Sequence, residues 1–560
     1  MRSNFPHSNR PHTNGNTKKI ILPSLTWGFY VFEILESQVG GIADVAEGLP
    51  RALVLLQTKG DKTHRIFRVT PYYKDMPSMI YAIPLNELQK IATIVIPYQN
   101  SRIEVIVYKR IYENEIIDYL LFNDIFDRAY SKSDNNKPDD ALKEVVAYNA
   151  AAAALILLGE TQVNIPFLAD WQTGLMLSYL LEAGRDTNAL LNQIEVTTKN
   201  GNLTGSHLVS SFISSGTLKK IVPICWVNNE AYRGQFAVRD FDDFRWKTGL
   251  ISRFSFEASR WITPERLSEI YTILLKLSVE TVRYGYGGEV ITVSKTYANE
   301  VMGYDLKPGD YPGMLCGIFR RIGVKGILNG VSYLWRYVTD LSQKAEAKIE
   351  LQKQFGFSID KDKKLAFMVS RLVSQKGVSI LLDAEEGIIK LLQDFPELQL
   401  MIGGRPENYW RTPLEKFKQQ LETEFPDRVR IELDFLPEEL VRKIFIAGDI
   451  QLFPSLYEPC GTLPKAAYNM VITVGRRTGG IAEGAVEIKK NFGNAVLFND
   501  YSSEAFMAAW RKAMRIAQNK ARWASIQKNS PATVRTWKMQ ADEYAKIIHS
   551  ALINKGFKIE

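Results

Sequence analysis

The sequence is poor in residues that build disulfide-stabilised and metal-binding proteins. Among its 560 residues it has only three cysteines, Cys225, Cys316 and Cys460, and they form no Cys-x-x-Cys pair. This spacing argues against a disulfide framework and a structural zinc site, and it is typical of a reducing compartment. The five histidines are scattered along the chain. We therefore expect no metal site.

Long apolar runs are also missing. The longest, Ala150–Gly159, is too short to span a bilayer and predicts a buried helix. Residues 1–18 are rich in Asn, His, Arg and Ser and lack the apolar core of a secretory signal, so we interpret them as a flexible tail. We expect a cytoplasmic protein, or a plastid one if the source is eukaryotic, with no membrane partner.

Charge of one sign is not concentrated anywhere. The chain has 70 Lys and Arg against 62 Asp and Glu, a formal net charge of +8, and no block of like charges. This balance argues against a nucleic-acid surface and favours basic residues placed locally near an anionic ligand. A hydrophobic content of 46% is that of a globular protein, and the length suits either roughly three to four ordinary domains or two large α/β domains.

Predicted strands and helices alternate along the chain in two α/β halves, with a boundary near residues 340–347 and no internal repeat. Several strands end in polar or glycine-containing loops, which is where open α/β sheets bind ligands. Residues 193–218, rich in Gly, Ser, Thr and Asn, are predicted to be an inserted loop. Residues 238–265 have no clean periodicity and receive no assignment.

The stretch Leu452–Gly480 has the features of a sugar-nucleotide site. A strand-like run ends in a turn that carries Glu458, and two arginines and a Thr-Gly-Gly follow. The carboxylate can accept hydrogen bonds from sugar hydroxyls, and the glycines expose backbone N–H groups to phosphate. Upstream, Arg371 and Lys376 suit the two phosphates of a nucleoside diphosphate. Taken singly, the same residues could be a surface turn and a solvated basic loop.

With these residues in place, the chain resembles the bacterial and plant glycogen (starch) synthase family, retaining glucosyltransferases of glycosyltransferase family 5 with the GT-B fold. The resemblance covers roughly residues 20–550. It is carried, in the family's order, by QVGGIADVAEGLPRAL, ADWQTGL, NNEAYRG, VITVSKTYANEV, GILNG, VSRLVSQKG, YEPCG and RRTGG. It implies two Rossmann-like doubly wound domains facing a central cleft.

The resemblance also implies a domain division. After the tail, residues 19–343 would form the N-terminal starch synthase catalytic domain on the acceptor side. Residues 344–535 would form the C-terminal glycosyltransferase domain on the donor side. Residues 536–560 would form a C-terminal helix that packs back on the N-terminal domain.

The implied reaction is glucosyl transfer, with retention, from ADP-glucose or UDP-glucose to the non-reducing end of an α-1,4-glucan. The partners would be this nucleotide sugar, a substrate, and the glucan; no cofactor or nucleic acid is expected, and the oligomeric state is left open. By the resemblance, the catalytic residues would be Arg371, Lys376, Glu458 and Asp170. Those around the nucleotide sugar would be Gln38, Gly40, Gly41, Asn228, Cys460, Gly461, Thr478, Gly479 and Gly480.

Three positions depart from the family pattern, all in the first half. Gln38 stands where the family usually has lysine, Ala169 replaces the histidine of His-Asp-Trp, and Asn228 replaces the histidine of His-Asn. An amide for an ammonium removes charge beside the donor, and a methyl group cannot hydrogen-bond a sugar hydroxyl. They leave open two alternatives: a catalytically weakened homologue that binds glucan or nucleotide as a scaffold or regulator, and a GT-B enzyme with another donor or acceptor.

Overall fold

The computed structural model describes residues 20–22, 25–31, 41–57, 64–73, 85–111, 116–126, 138–231, 233–262, 270–304, 306, 313–332 and 335–559. The first-half strands are β1 (Ile20–Leu22), β2 (Leu25–Tyr30), β3 (His64–Pro71), β4 (Gln89–Tyr98), β5 (Ser101–Ile111), β6 (Ile117–Phe122), β7 (Ile165–Ala169), β8 (Glu195–Thr198), β9 (Gly201–Thr204), β10 (Ile224–Val227), β11 (Gln235–Val238), β12 (Arg260–Ile262), β13 (Ile270–Ile273), β14 (Glu289–Thr292) and β15 (Lys325–Gly326). The first-half helices are α1 (Gly41–Gln57), α2 (Pro138–Leu157), α3 (Met176–Ala183), α4 (Gly205–Ser214), α5 (Phe241–Thr248), α6 (Arg253–Ser259), α7 (Leu274–Glu280), α8 (Lys295–Val301) and α9 (Cys316–Ile322).

The first half is built on an eleven-stranded sheet with the order β15-β14-β10-β7-β2-β3-β6-β5-β4-β8-β9. The strands from β15 to β6 pair in parallel, and those from β6 to β9 pair antiparallel. Strands β11, β13 and β12 form a separate small antiparallel sheet. The parallel strands are buried because helices cover the sheet. As predicted, the Ala-rich run from Ala150 lies in a buried helix, α2.

The second half is a six-stranded, all-parallel sheet with the order β18-β17-β16-β19-β20-β21. Its strands are β16 (Lys364–Val369), β17 (Leu398–Gly403), β18 (Val429–Glu432), β19 (Ile450–Phe453), β20 (Ile472–Arg476) and β21 (Ala495–Phe498). Its helices are α10 (Leu341–Phe355), α11 (Val378–Asp383), α12 (Glu385–Asp394), α13 (Asn408–Glu424), α14 (Glu438–Ala447), α15 (Leu463–Tyr468), α16 (Gly479–Gly484), α17 (Ser503–Ala517) and α18 (Lys520–Asn529). No helix in the described ranges is long and apolar enough to cross a membrane.

The end of the chain returns to the first half. Helix α19 (Trp537–Asn554) buries Trp537, Tyr544 and Ile548 in the first-half core, and strand β22 (Phe557–Ile559) pairs in parallel with β1. Gly48 of α1 allows this close contact, because a Cβ there would lie 2.1 Å from the Trp537 indole nitrogen. The C-terminal segment therefore stabilises the first half, although it follows the second half in sequence.

The prediction of an inserted loop over residues 193–218 is wrong. This stretch contains β8, β9 and α4. Ile194 and Val196 are fully buried, and β8 pairs antiparallel with β4, about 100 residues earlier in the chain. Long-range pairing and burial override the local turn-like composition. Residues 238–265, which the sequence leaves unassigned, contain α5, α6 and β12. Residues 1–18 lie outside the described part.

Candidate active site

The predicted donor-side residues lie on loops that follow three neighbouring strands. Arg371 follows β16, Glu458 follows β19, and Gly479 follows β20, and these strands are adjacent in the sheet order. Because parallel strands end at the same edge of the sheet, the three loops meet. This sheet edge is our candidate site.

Lys376 and Glu458 form a direct ion pair at this edge. The Lys376 Nζ lies 2.6 Å from the Glu458 Oε2, and the Ser455 hydroxyl donates to the same oxygen at 3.0 Å. Glu458 is buried, whereas the Lys376 side chain keeps 15% exposure, over the ring of Phe453. The pair is therefore reachable from solvent on its cationic side, which suits an anionic ligand.

Arg371 adds a second cation to this edge. It is exposed, yet the surrounding protein desolvates it, and this lowers its pKa; the charge of Glu458 acts in the opposite direction. The guanidinium therefore lies in the field of the Glu458 carboxylate while remaining accessible. Two cations around one buried carboxylate leave a net positive edge, which attracts phosphate.

The Thr-Gly-Gly loop packs tightly against the Glu458 loop. Gly479 has a φ of 43°, and a Cβ there would lie 1.8 Å from the Glu458 carbonyl oxygen, so this position requires glycine. The Gly480 N–H donates to that carbonyl oxygen at 2.8 Å. The Gly479 N–H and the Thr478 hydroxyl both donate to the Glu300 Oε1 of the first half at 2.9 Å. These donors are thus bonded within the protein, and phosphate binding by them remains a prediction.

Cys460 and Gly461 continue the Glu458 loop. Cys460 is half-buried and packs against the first-half core, so this loop also contacts the opposite wall. Gly461 has a φ of 76°, and a Cβ there would lie 2.9 Å from the Glu458 Cγ. Gly461 therefore lets the loop pass close to Glu458, and Cys460 anchors the loop against the first half.

Asp170 lies on the opposite wall, after β7. It is buried, has an unusual φ of 58°, and its Oδ1 accepts the Asn228 N–H at 3.1 Å. Burial raises the pKa of Asp170 to about 8, against the opposing hydrogen bonds from the Asn228 and Asn229 N–H groups. The carboxyl is therefore mainly protonated at neutral pH, and it holds the loop that follows β10.

That loop reaches the second half through Asn229. The Asn229 Nδ2 donates to the Gln375 Oε1 at 3.4 Å, and Gln375 lies beside Lys376 in sequence. Ala169, the last residue of β7, is buried, and Asn228 is half-buried. The structure therefore brings the Asp170–Asn229 wall against the loop that carries both donor-side cations.

Three of the residues predicted to contact the nucleotide sugar, Gln38, Gly40 and Gly41, lie at or before the start of α1. Gln38 and Gly40 lie outside the described residues. Gly41 is the first residue of α1, as the Gly-Gly pattern predicts for a loop that opens a helix. Within the described ranges, no group of three or more His, Cys, Asp and Glu side chains could hold a metal ion.

Sequence reasoning missed four residues that help to join the two halves, Asn229, Gln375, Glu300 and Glu483; the Glu483 Oε2 accepts a hydrogen bond from the Lys295 N–H at 2.6 Å. Glu300 belongs to the stretch VITVSKTYANEV, which the sequence analysis singles out without assigning it a role. A carboxylate on a short helix after a strand was the available signal. Its partners, however, lie about 180 residues later in the chain.

The two halves of the chain match two different protein-family models. Residues 26–200 match the family model described as starch synthase catalytic domain, and residues 350–530 match glycosyl transferases group 1. The chain is 27% identical to the glycogen synthase of Thermosipho africanus, over 92% of this chain and 96% of that protein. It is 26% identical to that of Thermotoga maritima, over 94% and 99%.

Among solved structures, the chain is similar to the catalytic domain of starch synthase IV from Arabidopsis thaliana, bound to ADP and acarbose. The TM-score is 0.70 at 20% identity, over 95% of this chain and 99% of that one. This likeness confirms the predicted GT-B fold. The resemblance to the glycogen/starch synthase family of glycosyltransferases is thus confirmed, because both family models match and the curated glycogen synthases are similar to this chain over almost its whole length.

Proposed function

We propose that this chain transfers glucose from ADP-glucose or UDP-glucose to the non-reducing end of an α-1,4-glucan, with retention of configuration. The observation that carries the proposal is the Lys376–Glu458 pair at 2.6 Å, with Arg371 on the same sheet edge. A nucleotide sugar carries a diphosphate beside a glucosyl group, and this edge offers cations beside a carboxylate. The similar starch synthase IV domain was solved with ADP and acarbose, which supports both ligand classes.

In this proposal, the second half binds the donor. Arg371 and Lys376 offset the charge of the diphosphate and the charge that develops on it as the bond to the sugar breaks. Glu458 accepts hydrogen bonds from sugar hydroxyls. The acceptor hydroxyl attacks the sugar C1 from the face that the diphosphate leaves, and the departing phosphate oxygen takes the hydroxyl proton. The protein contributes positioning and electrostatic stabilisation.

Asp170 is a positioning residue in this scheme. Its buried carboxyl accepts the Asn228 N–H and so fixes the wall that faces the donor loops. Gln38, Gly40 and Gly41 would close on the donor from the first half. The proposed reaction needs no metal or cofactor, and a reducing compartment such as the cytoplasm suits it.

The test is a transfer assay with purified full-length chain, a maltooligosaccharide primer and each donor in turn. We expect primers extended by glucose units that an α-1,4-specific exo-hydrolase removes. The matched variant Lys376→Ala should lose most of this activity, whereas Lys443→Ala, a substitution in an exposed ion pair of α14, should keep it. Unchanged primer extension by Lys376→Ala would show that the donor does not bind at this sheet edge.

The alternative proposal is a catalytically weakened homologue that binds glucan or nucleotide as a scaffold or regulator. Ala169 favours it, because its buried methyl group stands where a sugar-binding histidine would be. This alternative predicts ADP or maltooligosaccharide binding with negligible transfer. Combining Gln38→Lys, Ala169→His and Asn228→His should then raise the transfer rate, and an unchanged rate would count against these positions as the cause.

A further inference from the structure

Two short helices face each other across the boundary between the halves. Helix α8 belongs to the first half and begins at Lys295, and α16 belongs to the second half and begins at Gly479. The Glu300 Oε1, near the end of α8, accepts from the Gly479 N–H and the Thr478 hydroxyl, both at 2.9 Å. The Glu483 Oε2, near the end of α16, accepts from the Lys295 N–H at 2.6 Å.

The contacts are reciprocal. The first N–H of each helix has no acceptor within its own helix, and it donates to a carboxylate from the other helix. The negative charge of each carboxylate also lies at the positive end of a helix dipole. Because each acid lies near the end of its helix, both bonds form only when the helices run antiparallel, side by side. The Ser294 hydroxyl, just before α8, adds a fourth hydrogen bond across the boundary, to the Pro459 carbonyl oxygen at 3.0 Å.

We propose that Glu300 and Glu483 form an interdomain latch that holds the two halves closed. Neither acid belongs to the donor-side residues predicted from the sequence. Each bond of the latch joins a charged acceptor to a donor across the boundary, the class of hydrogen bond that contributes most in proteins. The two hydrogen bonds of Glu300 are partly buried, whereas the bond between the Lys295 N–H and Glu483 is exposed.

The latch is connected to the candidate site through the backbone. Gly480, next to the latched Gly479, donates to the Glu458 carbonyl oxygen, and the Glu458 side chain pairs with Lys376. The position of α8 therefore bears on where Glu458 presents its carboxylate. Glu300 and Glu483 are thus positioning residues. The closure itself is independent of the proposed reaction, and a failed transfer assay would leave it intact.

The test measures closure in the ligand-free, full-length chain. We expect Glu300→Ala and the Glu300→Ala, Glu483→Ala double variant to shift small-angle scattering to a larger radius of gyration. The amide protons of Gly479 and Lys295 should exchange about tenfold faster or more, as expected for the loss of a charge-assisted hydrogen bond. Glu300→Gln keeps an acceptor oxygen and should restore most of the wild-type radius and exchange rate.

Two controls separate the latch from a general loss of stability. Glu487→Gln removes a carboxylate that pairs with Arg477 inside the second half, and it should leave the radius of gyration unchanged. Circular dichroism and thermal melting establish whether each variant is folded. If Glu300→Ala does not fold, Glu483→Ala and Thr478→Val, which keep Glu300, provide the same measurement. A folded Glu300→Ala variant or a folded Glu300→Ala, Glu483→Ala double variant with the radius and exchange rates of the wild type would overturn the proposal.

Discussion

Replacing Asp170 by Asn should change how the stability of the protein depends on pH. Burial raises the pKa of Asp170 to about 8 in the folded chain, whereas an Asp in an unfolded chain has a pKa of about 3.9. Between these values the folded state keeps a proton that the unfolded state releases. The free energy of unfolding therefore falls with rising pH by about 1.4 kcal/mol per unit from this group alone.

Asp170→Asn removes this pH dependence of the free energy of unfolding and keeps the hydrogen bond with the Asn228 N–H. An asparagine keeps an oxygen that can accept the Asn228 N–H, and it tolerates the φ of 58°. The unfolding free energy of the variant minus that of the wild type should thus grow by about 3 kcal/mol between pH 5 and pH 7. Urea unfolding at each pH, followed by circular dichroism, measures this difference.

A matched control tests whether the effect belongs to Asp170. Asp243 has a lowered pKa: burial tends to raise it, but hydrogen bonds from the Arg239 N–H and Lys247 prevail. The contribution of the Asp243 carboxylate to the free energy of unfolding is lost only as the pH falls through that low pKa. Asp243→Asn should therefore differ from the wild type by a constant amount between pH 5 and pH 7. An equally constant difference for Asp170→Asn would refute the assignment of a buried, protonated carboxyl.

Three further predictions concern the donor site and the packing. Arg371→Ala should weaken ADP binding, measured by calorimetry, with little change in melting temperature, because cations at an open edge contribute little stability; equal affinity would remove Arg371 from the site. Lys348→Ala should cost about 3–5 kcal/mol in urea unfolding, because it removes the ammonium 2.5 Å from the buried Asp449 carboxylate, which keeps the Leu365 N–H and Gln527 as hydrogen-bond donors. A cost within about 1 kcal/mol, typical of exposed pairs, would contradict this. Gly48→Ala should cost about 1–3 kcal/mol by displacing Trp537, whereas Gly317→Ala, with open space around it, should not destabilise; equal melting temperatures for the two variants would contradict this.

Much of the fold could be predicted from the sequence where local pattern and burial agree. The apolar patterns of residues 341–355, 364–369 and 450–453 predict one helix and two strands, and α10, β16 and β19 have these bounds. The donor loops could also be placed together, because parallel strands end at one edge of a sheet. The pairing of β8 with β4 could not be predicted, because the residues that pair with Val196 and bury it are distant in sequence.

The sequence predicts which residues form the site, but not how they pair or which of them is protonated. The sequence places Lys376 and Glu458 on the same side of one domain, but only the fold shows that they pair directly at 2.6 Å. It identifies Asp170 as a candidate acid, but not the burial that keeps it protonated. The sequence does not identify Glu300 as a partner of Gly479, because a contact between domains has no characteristic sequence spacing.

Incorporation of labelled glucose into a glycogen primer tests the central claim most directly. Purified full-length chain is incubated with labelled ADP-glucose and, separately, with labelled UDP-glucose, over a range of enzyme concentrations. The proposed function predicts label in the polymer that increases with enzyme and is lost on Lys376→Ala. No incorporation from either donor at high enzyme concentration, with circular dichroism confirming a folded protein, would contradict glucosyl transfer by this chain.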